Sequence, residues 1–186
     1  MSVTVERTAL PDLLVLTPKR FGDERGFFSE VYNADTFAPG LGNTVFIQDN
    51  HSWSKEPGTI RGLHFQTPPH AQGKLVRVVR GRILDVAVDL RRSSPTYGRH
   101  VAVELSAENW KQLWVPPGFA HGFCTLTPDC EVLYKVTALY AAQHDRGLQF
   151  DDPDLGIAWP VASGAAVVSA KDRTHPGLAE LGHVFD

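Results

Sequence analysis

The chain has 186 residues, 42% of them hydrophobic, and its 18 Lys and Arg against 21 Asp and Glu give a formal net charge of −3. This length fits one globular domain, 1–186, and the composition excludes disordered and collagen-like proteins. The weak negative charge argues against nucleic-acid and membrane-surface binding, and with neither a leader nor an apolar run of 18 residues, a cytoplasmic protein is expected.

Short apolar stretches between scattered Gly and Pro predict strands and turns rather than helices. The predicted strands, in chain order, are 13–18, 26–32, 44–54, 59–66, 74–81, 82–90, 100–106, 111–117, 121–127 and 131–140. Asn33 is a candidate cap for one short helical turn. Beyond residue 141 the composition changes to Asp, Gly and Pro, which indicates irregular chain wrapping over the sheets. The expected fold is all-β, a jelly-roll sandwich or barrel with short helical turns.

The strand 59–66 carries an Arg and a His, and a second His follows a Pro-Pro-Gly turn in "WVPPGFAHGF". That second element, with His121, resembles half of the metal-binding cupin motif. The other half is broken, because His64 is followed by Gln66 and Lys74, and no acidic residue occurs in 57–84. An ammonium beside a divalent ion is repulsive, so no metal is expected there. Lys74 could instead stabilise an enolate oxygen.

The two cysteines, Cys124 and Cys130, lie six residues apart without a second pair. This spacing is typical of neither a disulfide framework nor a zinc ribbon. Both are interpreted as structural residues of strands or core.

Long strings of the sequence, in order and across nearly the whole chain, resemble the dTDP-4-dehydrorhamnose 3,5-epimerase family. These strings are "FGDERGFFSEVYN", "QDNHSWS", "TIRGLHFQTPPHAQGKLVRVVRGRILDVAVDLR", "SPTYG", "WVPPGFAHGF", "YKVTALY" and "SAKD". The resemblance implies a dimeric, cupin-type jelly roll that needs neither metal nor cofactor. It also implies a dTDP-4-keto-6-deoxyhexose substrate and inversion at the two carbons, C3 and C5, that flank its ketone.

The resemblance assigns a catalytic set whose chemistry suits this reaction. His64 is the implied general base, with Asp172 as its partner, and Tyr134 is the implied proton donor from the opposite face. Lys74 would hold the keto oxygen. A weakly acidic C–H next to a ketone requires a base poised near neutral pH and stabilisation of the enolate, which these residue types supply.

The resemblance also assigns substrate contacts. Arg25 and Arg61 would grip the diphosphate, and Phe21 would stack on thymine. The other implied contacts are Glu30, Gln48, Asp49, Asn50, His121, Tyr140, Asp145 and Lys171. Strict strand alternation places Arg61 and His64 on opposite faces. Either a twist or bulge near Gly62 turns one of them, or Arg61 reaches the ligand of a neighbouring subunit.

Two departures and three alternatives accompany this interpretation. Asp145 stands where the family commonly has Glu, and "FDDP" with Phe150 and Asp151 stands where "WNDP" is common. The alternatives are a mono-epimerase acting at C3 or C5 of a related dTDP-sugar, a non-catalytic protein that binds sugar nucleotides, and a metal-dependent cupin.

Overall fold

The computed structural model describes residues 2–186, which form two antiparallel sheets packed face to face. In chain order the strands are β1 (Val3–Arg7), β2 (Leu14–Pro18), β3 (Phe21–Asp23), β4 (Gly26–Phe28), β5 (Gln48–Ser54), β6 (Thr59–Gln66), β7 (Lys74–Arg80), β8 (Arg82–Asp89), β9 (His100–Ser106), β10 (Gln112–Val115), β11 (Phe119–Thr125), β12 (Cys130–Val136), β13 (Asp145–Gly147) and β14 (Val167–Val168). The first sheet has the order β1-β2-β10-β7-β12-β5. The second has the order β13-β6-β11-β8-β9, with β14 parallel to β6, and β3 and β4 form a separate hairpin. The all-β sandwich is therefore confirmed.

The core lies between the two sheets because alternate residues of their strands point inward. On β7, Val76 and Val78 enter this core, where they meet Ile83 and Ala87 of the opposite sheet. Leu75 points the other way and is buried beneath the helix. The first half of β7 is thus buried on both faces, which accounts for the adjacent apolar residues Leu75 and Val76.

The single α-helix in the described residues, α1 (Ala34–Leu41), begins at the predicted cap. The Asn33 side chain accepts hydrogen bonds from the backbone N–H groups of Asp35 and Thr36. Phe37 and Leu41 bury one face of the helix against the first sheet. The prediction of one short turn was too short, since this burial stabilises a second turn.

The predicted strands match β2 and β4 to β12, with β6 correct at both ends. Four short strands at sheet margins or in the hairpin, β1, β3, β13 and β14, were missed. Beyond residue 141 the chain is otherwise irregular, with single 3₁₀ turns at Ala142–His144, Ser163–Ala165, Asp172–Thr174 and Leu178–Glu180. The predicted C-terminal wrap is thus present, and it packs on the second sheet through β13 and β14.

Both cysteines are buried and unpaired, as interpreted from their spacing. Within residues 2–186, no helix has the length and apolar character needed to cross a bilayer.

Candidate active site

A cavity of about 550 Å³ lies between the two sheets and the C-terminal wrap. Strands β6 and β11 of the second sheet and β7 and β12 of the first provide most of its wall. A smaller cavity of about 200 Å³ adjoins it and shares His64, Lys74 and Tyr134. The two cavities together form the candidate active site.

Most of the residues implied by the family resemblance meet at this site. The larger cavity contains Arg61, His64, Lys74, His121, Tyr134, Lys171 and Asp172. The smaller cavity adds Gln48, Asn50, Tyr140 and Asp145. Neither cavity is lined by Phe21, Arg25, Glu30 or Asp49.

The four absent residues occupy other surfaces of the chain. Phe21 and Arg25 lie on the exposed β3–β4 hairpin, where Arg25 pairs with Asp23 at 2.6 Å. Glu30 accepts a hydrogen bond from the cap residue, Asn33. Asp49 follows the strand alternation to the other face of β5 and pairs with Lys135.

A bulge in β6 brings Arg61 and His64 to the same cavity. His64 pairs with His121, whereas Arg61 pairs with Phe123, so β6 has one more residue than β11 over this stretch. The extra residue is accommodated at Gly62, with φ of 122°. A Cβ there would lie 2.7 Å from the Cα of Gly122, so the close approach of the two strands requires glycine. The sequence left open whether a twist or bulge near Gly62 turns one side chain or Arg61 reaches a neighbouring subunit. The structure contains the bulge.

His64 and Asp172 form a hydrogen-bonded dyad. Nε2 of His64 donates to Oδ1 of Asp172 at 2.7 Å, and Oδ2 of Asp172 accepts the backbone N–H of Gly62 at 3.1 Å. Burial opposes ionisation of Asp172, but the hydrogen bond and charge of His64 and the Gly62 N–H hold its pKa at about 2. The carboxylate is therefore ionised at neutral pH and keeps a proton on Nε2. Nδ1 is then the basic nitrogen of a side chain that remains 33% exposed.

Lys74 lies at the base of both cavities and is 7% exposed. Its Nζ donates to the carbonyl oxygen of His64 at 3.1 Å. Burial lowers the pKa of Lys74 to about 8, while the negative charges of Asp85 and Asp145 act in the opposite direction. The ammonium form still predominates at pH 7, so the cavity contains a fixed cation beside the dyad.

Tyr134 faces the cavity from β12, in the sheet opposite to His64. Burial raises the pKa of this phenol, and the nearby charge of Arg61 partly offsets the rise. Tyr134 is therefore protonated at neutral pH. The imidazole of His64 and the phenol of Tyr134 thus line one cavity from opposite sheets.

A second His–Asp pair, which the sequence analysis missed, lies beside the dyad. Nε2 of His121 donates to Oδ1 of Asp85 at 2.7 Å, and Asp85 is fully buried. Its other oxygen, Oδ2, has no hydrogen-bond partner among the described residues. The sequence did contain an indication of this pair, since Asp85 is a charged residue within the apolar run of strand β8.

His175 is the other residue that the sequence analysis missed. Its ring stands edge-on to that of His64, with centroids 5.7 Å apart, and its Nε2 lies 3.5 Å from Oδ1 of Asp172. Gly147 leaves the space for this ring, because a Cβ there would lie 2.2 Å from it. Burial lowers the pKa of His175, which favours the neutral imidazole. No sequence motif marks this residue.

The rim of the smaller cavity is closed by contacts between the loop after β12 and the C-terminal wrap. Asp145 receives hydrogen bonds from Lys171 and from the Tyr140 hydroxyl. These contacts hold the two segments together above Lys74 and His64. The departure from Glu to Asp at position 145 therefore preserves a carboxylate that still reaches both partners.

The positions that resemble the cupin metal site do not fit a divalent ion. The Gln66 amide is fully engaged by backbone groups, donating to His70 and Leu139 and accepting from Ala141. Lys74 contributes a cation, and His121 is committed to Asp85. A divalent ion would meet one repulsive charge and few free lone pairs at these positions.

Comparisons with known proteins identify the family. Residues 7–180 match the family model described as dTDP-4-dehydrorhamnose 3,5-epimerase. A protein of that name from Sinorhizobium fredii is 53% identical over 173 residues, covering 93% of this chain and 88% of that protein.

Solved structures agree with this match. The Bacillus anthracis dTDP-4-dehydrorhamnose 3,5-epimerase, crystallised with TDP and PPi bound, has a TM-score of 0.92 and 50% identity and covers 95% of this chain and 100% of that one. A Legionella pneumophila dTDP-6-deoxy-D-glucose-3,5-epimerase in complex with dTDP-4-keto-L-rhamnose has a TM-score of 0.91 and 41% identity, covering 96% and 94%. The chain therefore belongs to the dTDP-4-dehydrorhamnose 3,5-epimerase family.

Proposed function

We propose that this chain inverts C3 and C5 of dTDP-4-dehydro-6-deoxy-D-glucose to give dTDP-4-dehydro-L-rhamnose, by acid–base chemistry of its own side chains. The observation that carries the proposal is the placement of His64 and Tyr134 on opposite sheets, facing one cavity that also contains Lys74. A carbon can be inverted only if the proton leaves from one face and returns to the other. The two walls of the cavity provide those two faces.

His64 acts first. Nδ1 takes a proton from the carbon next to the ketone, and the electron pair of the broken C–H bond moves into the enolate. The resulting imidazolium is stabilised by the Asp172 carboxylate at 2.7 Å from Nε2. Lys74 stabilises the negative charge on the enolate oxygen. The same residues serve C3 and C5 because both carbons flank the same ketone.

Tyr134 completes each inversion by protonating the enolate carbon from the opposite face. The phenolate then recovers a proton from solvent, and the His64 imidazolium releases its proton to solvent, which restores both groups. The Arg61 guanidinium lies in the same cavity and suits the diphosphate. Nε of Arg61 donates to Ser54 and a terminal nitrogen donates to the Trp53 carbonyl, so strand β5 fixes its position.

Turnover in heavy water tests the double inversion. We expect the product to carry deuterium at both C3 and C5, because the proton returned at each carbon comes from an acid that exchanges with solvent. Mass spectrometry and NMR of the product measure the label at each carbon. Deuterium at one carbon only would identify a mono-epimerase, and recovery of unconverted, unlabelled substrate would indicate a protein that binds the sugar nucleotide without turning it over.

The Tyr134→Phe variant is the matched control for this experiment, since it removes one hydroxyl and keeps the ring. Proton abstraction by His64 continues in this variant, so the substrate still exchanges its C–H hydrogens. The yield of inverted product is expected to fall, because the Tyr134 hydroxyl no longer protonates the carbon on the face opposite to His64.

We propose further that the active chain is a homodimer in the cytoplasm. The β3–β4 hairpin exposes 59% of Phe27 and 61% of Phe28, and apolar residues in contiguous exposed positions mark interaction surfaces. The hairpin also carries Phe21 and Arg25, which do not line the cavity of their own chain. We infer that they contact the nucleotide bound by the neighbouring copy. The two free, buried cysteines suit a reducing compartment.

Complementation between two inactive variants tests this arrangement. Arg25→Ala is expected to lower kcat/KM by roughly 10- to 100-fold through loss of a charged contact to the diphosphate, and His64→Ala removes the base. If Arg25 serves the neighbouring copy, a hybrid dimer contains one intact site. Co-expressed variants in equal amounts should then recover about a quarter of the wild-type rate, since half of the dimers are hybrids with one working site of two.

Sedimentation equilibrium of the wild-type protein accompanies this test. If the protein is a dimer but the co-expressed variants are no faster than the mean of Arg25→Ala and His64→Ala measured separately, Arg25 does not contribute to the neighbouring site. A monomer at assay concentration would contradict the homodimer itself.

A further inference from the structure

Three ligand-type side chains converge at the wall of the larger cavity. One nitrogen of His64, one carboxylate oxygen of Asp172 and one nitrogen of His175 all lie within 4.8 Å of one another. The proposed epimerisation uses the first two residues and leaves His175 without a role. Two imidazoles and one carboxylate are the donor types that Zn²⁺ prefers in three-residue sites with an open position.

His175 provides independent evidence that this cluster suits a ligand. Its side chain is only 10% exposed, yet its Nε2 has no hydrogen-bond partner among residues 2–186. A buried polar nitrogen without a partner is costly and uncommon in folded proteins. The unpartnered atom faces Oδ1 of Asp172 at 3.5 Å, toward the interior of the cluster.

We propose that His64, Asp172 and His175 form a binding site for a divalent transition-metal ion of the Zn²⁺ type, and that the bound ion inhibits the enzyme. The metal is an inhibitor in this proposal, and the epimerisation proceeds in its absence. The inhibition rests on the proposed function, because it requires His64 to be the general base. The binding of the metal ion is independent of the proposed function.

The geometry requires only local adjustment. An ion about 2.1 Å from three ligand atoms in a tetrahedral arrangement holds them roughly 3.4 Å apart. The distance between His175 and Asp172, 3.5 Å, already agrees with this value, whereas the 2.7 Å hydrogen bond between His64 and Asp172 must open. Coordination through Nε2 of His64 also moves the proton of this ring from Nε2 to Nδ1. The 33% exposure of His64 leaves the fourth position open to solvent.

Two charges act on the ion in opposite directions. The Asp172 carboxylate attracts it, whereas the Lys74 ammonium in the same cavity repels it. We therefore expect affinity that is roughly micromolar rather than the much tighter binding of a structural zinc site.

Titration of chelator-treated protein with Zn²⁺ tests the site, with isothermal calorimetry as the readout. We expect one ion per chain. His175→Phe preserves an aromatic ring against Gly147 and removes the ligand, and it should weaken Zn²⁺ binding by at least about 100-fold, since loss of even an outer partner of a ligand costs roughly 10- to 100-fold. The rate of the metal-free variant should stay within a few-fold of the wild type, and Zn²⁺ should no longer inhibit it.

The chain contains a matched control for this substitution. His183 and Asp186 have the same three-residue spacing as Asp172 and His175, with a nitrogen–oxygen distance of 3.6 Å, but both are exposed and lack a second imidazole. His183→Phe should leave both Zn²⁺ binding and inhibition unchanged. Cu²⁺, which such sites bind more tightly, provides a second measurement on the unmodified protein through the nitrogen couplings in its paramagnetic resonance spectrum.

The possible outcomes separate this proposal from the proposed function. Equal Zn²⁺ binding by the wild type and His175→Phe, or a Cu²⁺ spectrum with fewer than two nitrogen ligands, would overturn the site. If Zn²⁺ binding depends on His175 but the Zn²⁺-loaded wild type keeps its epimerase activity, the metal site is supported and the role of His64 as the base is contradicted.

Discussion

Replacing His64 with Ala is expected to lower kcat by about 10³- to 10⁴-fold, which is the upper part of the range for removing a positioned general base. Nδ1 of His64 makes no hydrogen bond with another described residue and belongs to a side chain that lines the cavity. Two other histidines lie nearby, but His121 is committed to Asp85 at 2.7 Å and His175 does not line either cavity, so neither is placed to substitute for His64. Steady-state turnover of the 4-keto sugar nucleotide measures the loss.

Nucleotide binding distinguishes a lost base from a damaged fold. Arg61 is anchored to β5 by Ser54 and Trp53 and does not depend on His64, so the Kd for dTDP should change by no more than about twofold. The matched control is His51→Ala, which removes an exposed histidine of β5 paired with Glu131. An unchanged kcat in His64→Ala would remove the imidazole from the mechanism.

Asp172→Asn is expected to cost nearly as much, about 10³- to 10⁴-fold in kcat, by the same reasoning as for the aspartate of a catalytic triad. The two oxygens of Asp172 accept hydrogen bonds from two donors, Nε2 of His64 and the N–H of Gly62. An amide has only one oxygen. If that oxygen keeps the Gly62 N–H, the amide nitrogen faces Nε2 and forces the proton onto Nδ1. The variant then holds His64 in the wrong tautomer.

This tautomer change has a direct readout. Nitrogen chemical shifts of the His64 ring should report Nε2–H in the wild type and Nδ1–H in Asp172→Asn. The control is Asp154→Asn, which changes an exposed carboxylate of the same wrap. Full activity of Asp172→Asn, or a wild-type tautomer in an inactive variant, would contradict the assigned role of Asp172.

The sequence contained most of the fold because the sandwich strands alternate between core and solvent. Strand β6 was predicted with both ends correct, and the buried strands β7 and β8 were one residue too long at most. The missed strand β1 is an edge strand that pairs only with β2, and its apolar alternation is limited to Val3 and Val5, too short a pattern to predict a strand. The very short β13 and β14 depend on docking to β6 rather than on local preference.

The site was harder to predict because its geometry depends on contacts distant in sequence. The relation of Arg61 to His64 could not be settled from alternation, since a bulge is defined by the register with β11. His175 reaches the dyad only because the irregular wrap folds over Gly147. Asp85 was visible as a charge in an apolar strand, and weighing that feature would have identified the partner of His121.

The position of Asp172 in the sequence determines when the site can be completed during synthesis of the enzyme. This residue lies 108 positions after His64 and follows all fourteen strands in the sequence, so the ribosome makes it after them. A nascent polypeptide whose strands have already paired but that ends before residue 172 still lacks the carboxylate that hydrogen-bonds to His64. Under the proposed mechanism, a nascent chain therefore cannot act on the sugar nucleotide before residue 172 has been made and has folded onto strand β6.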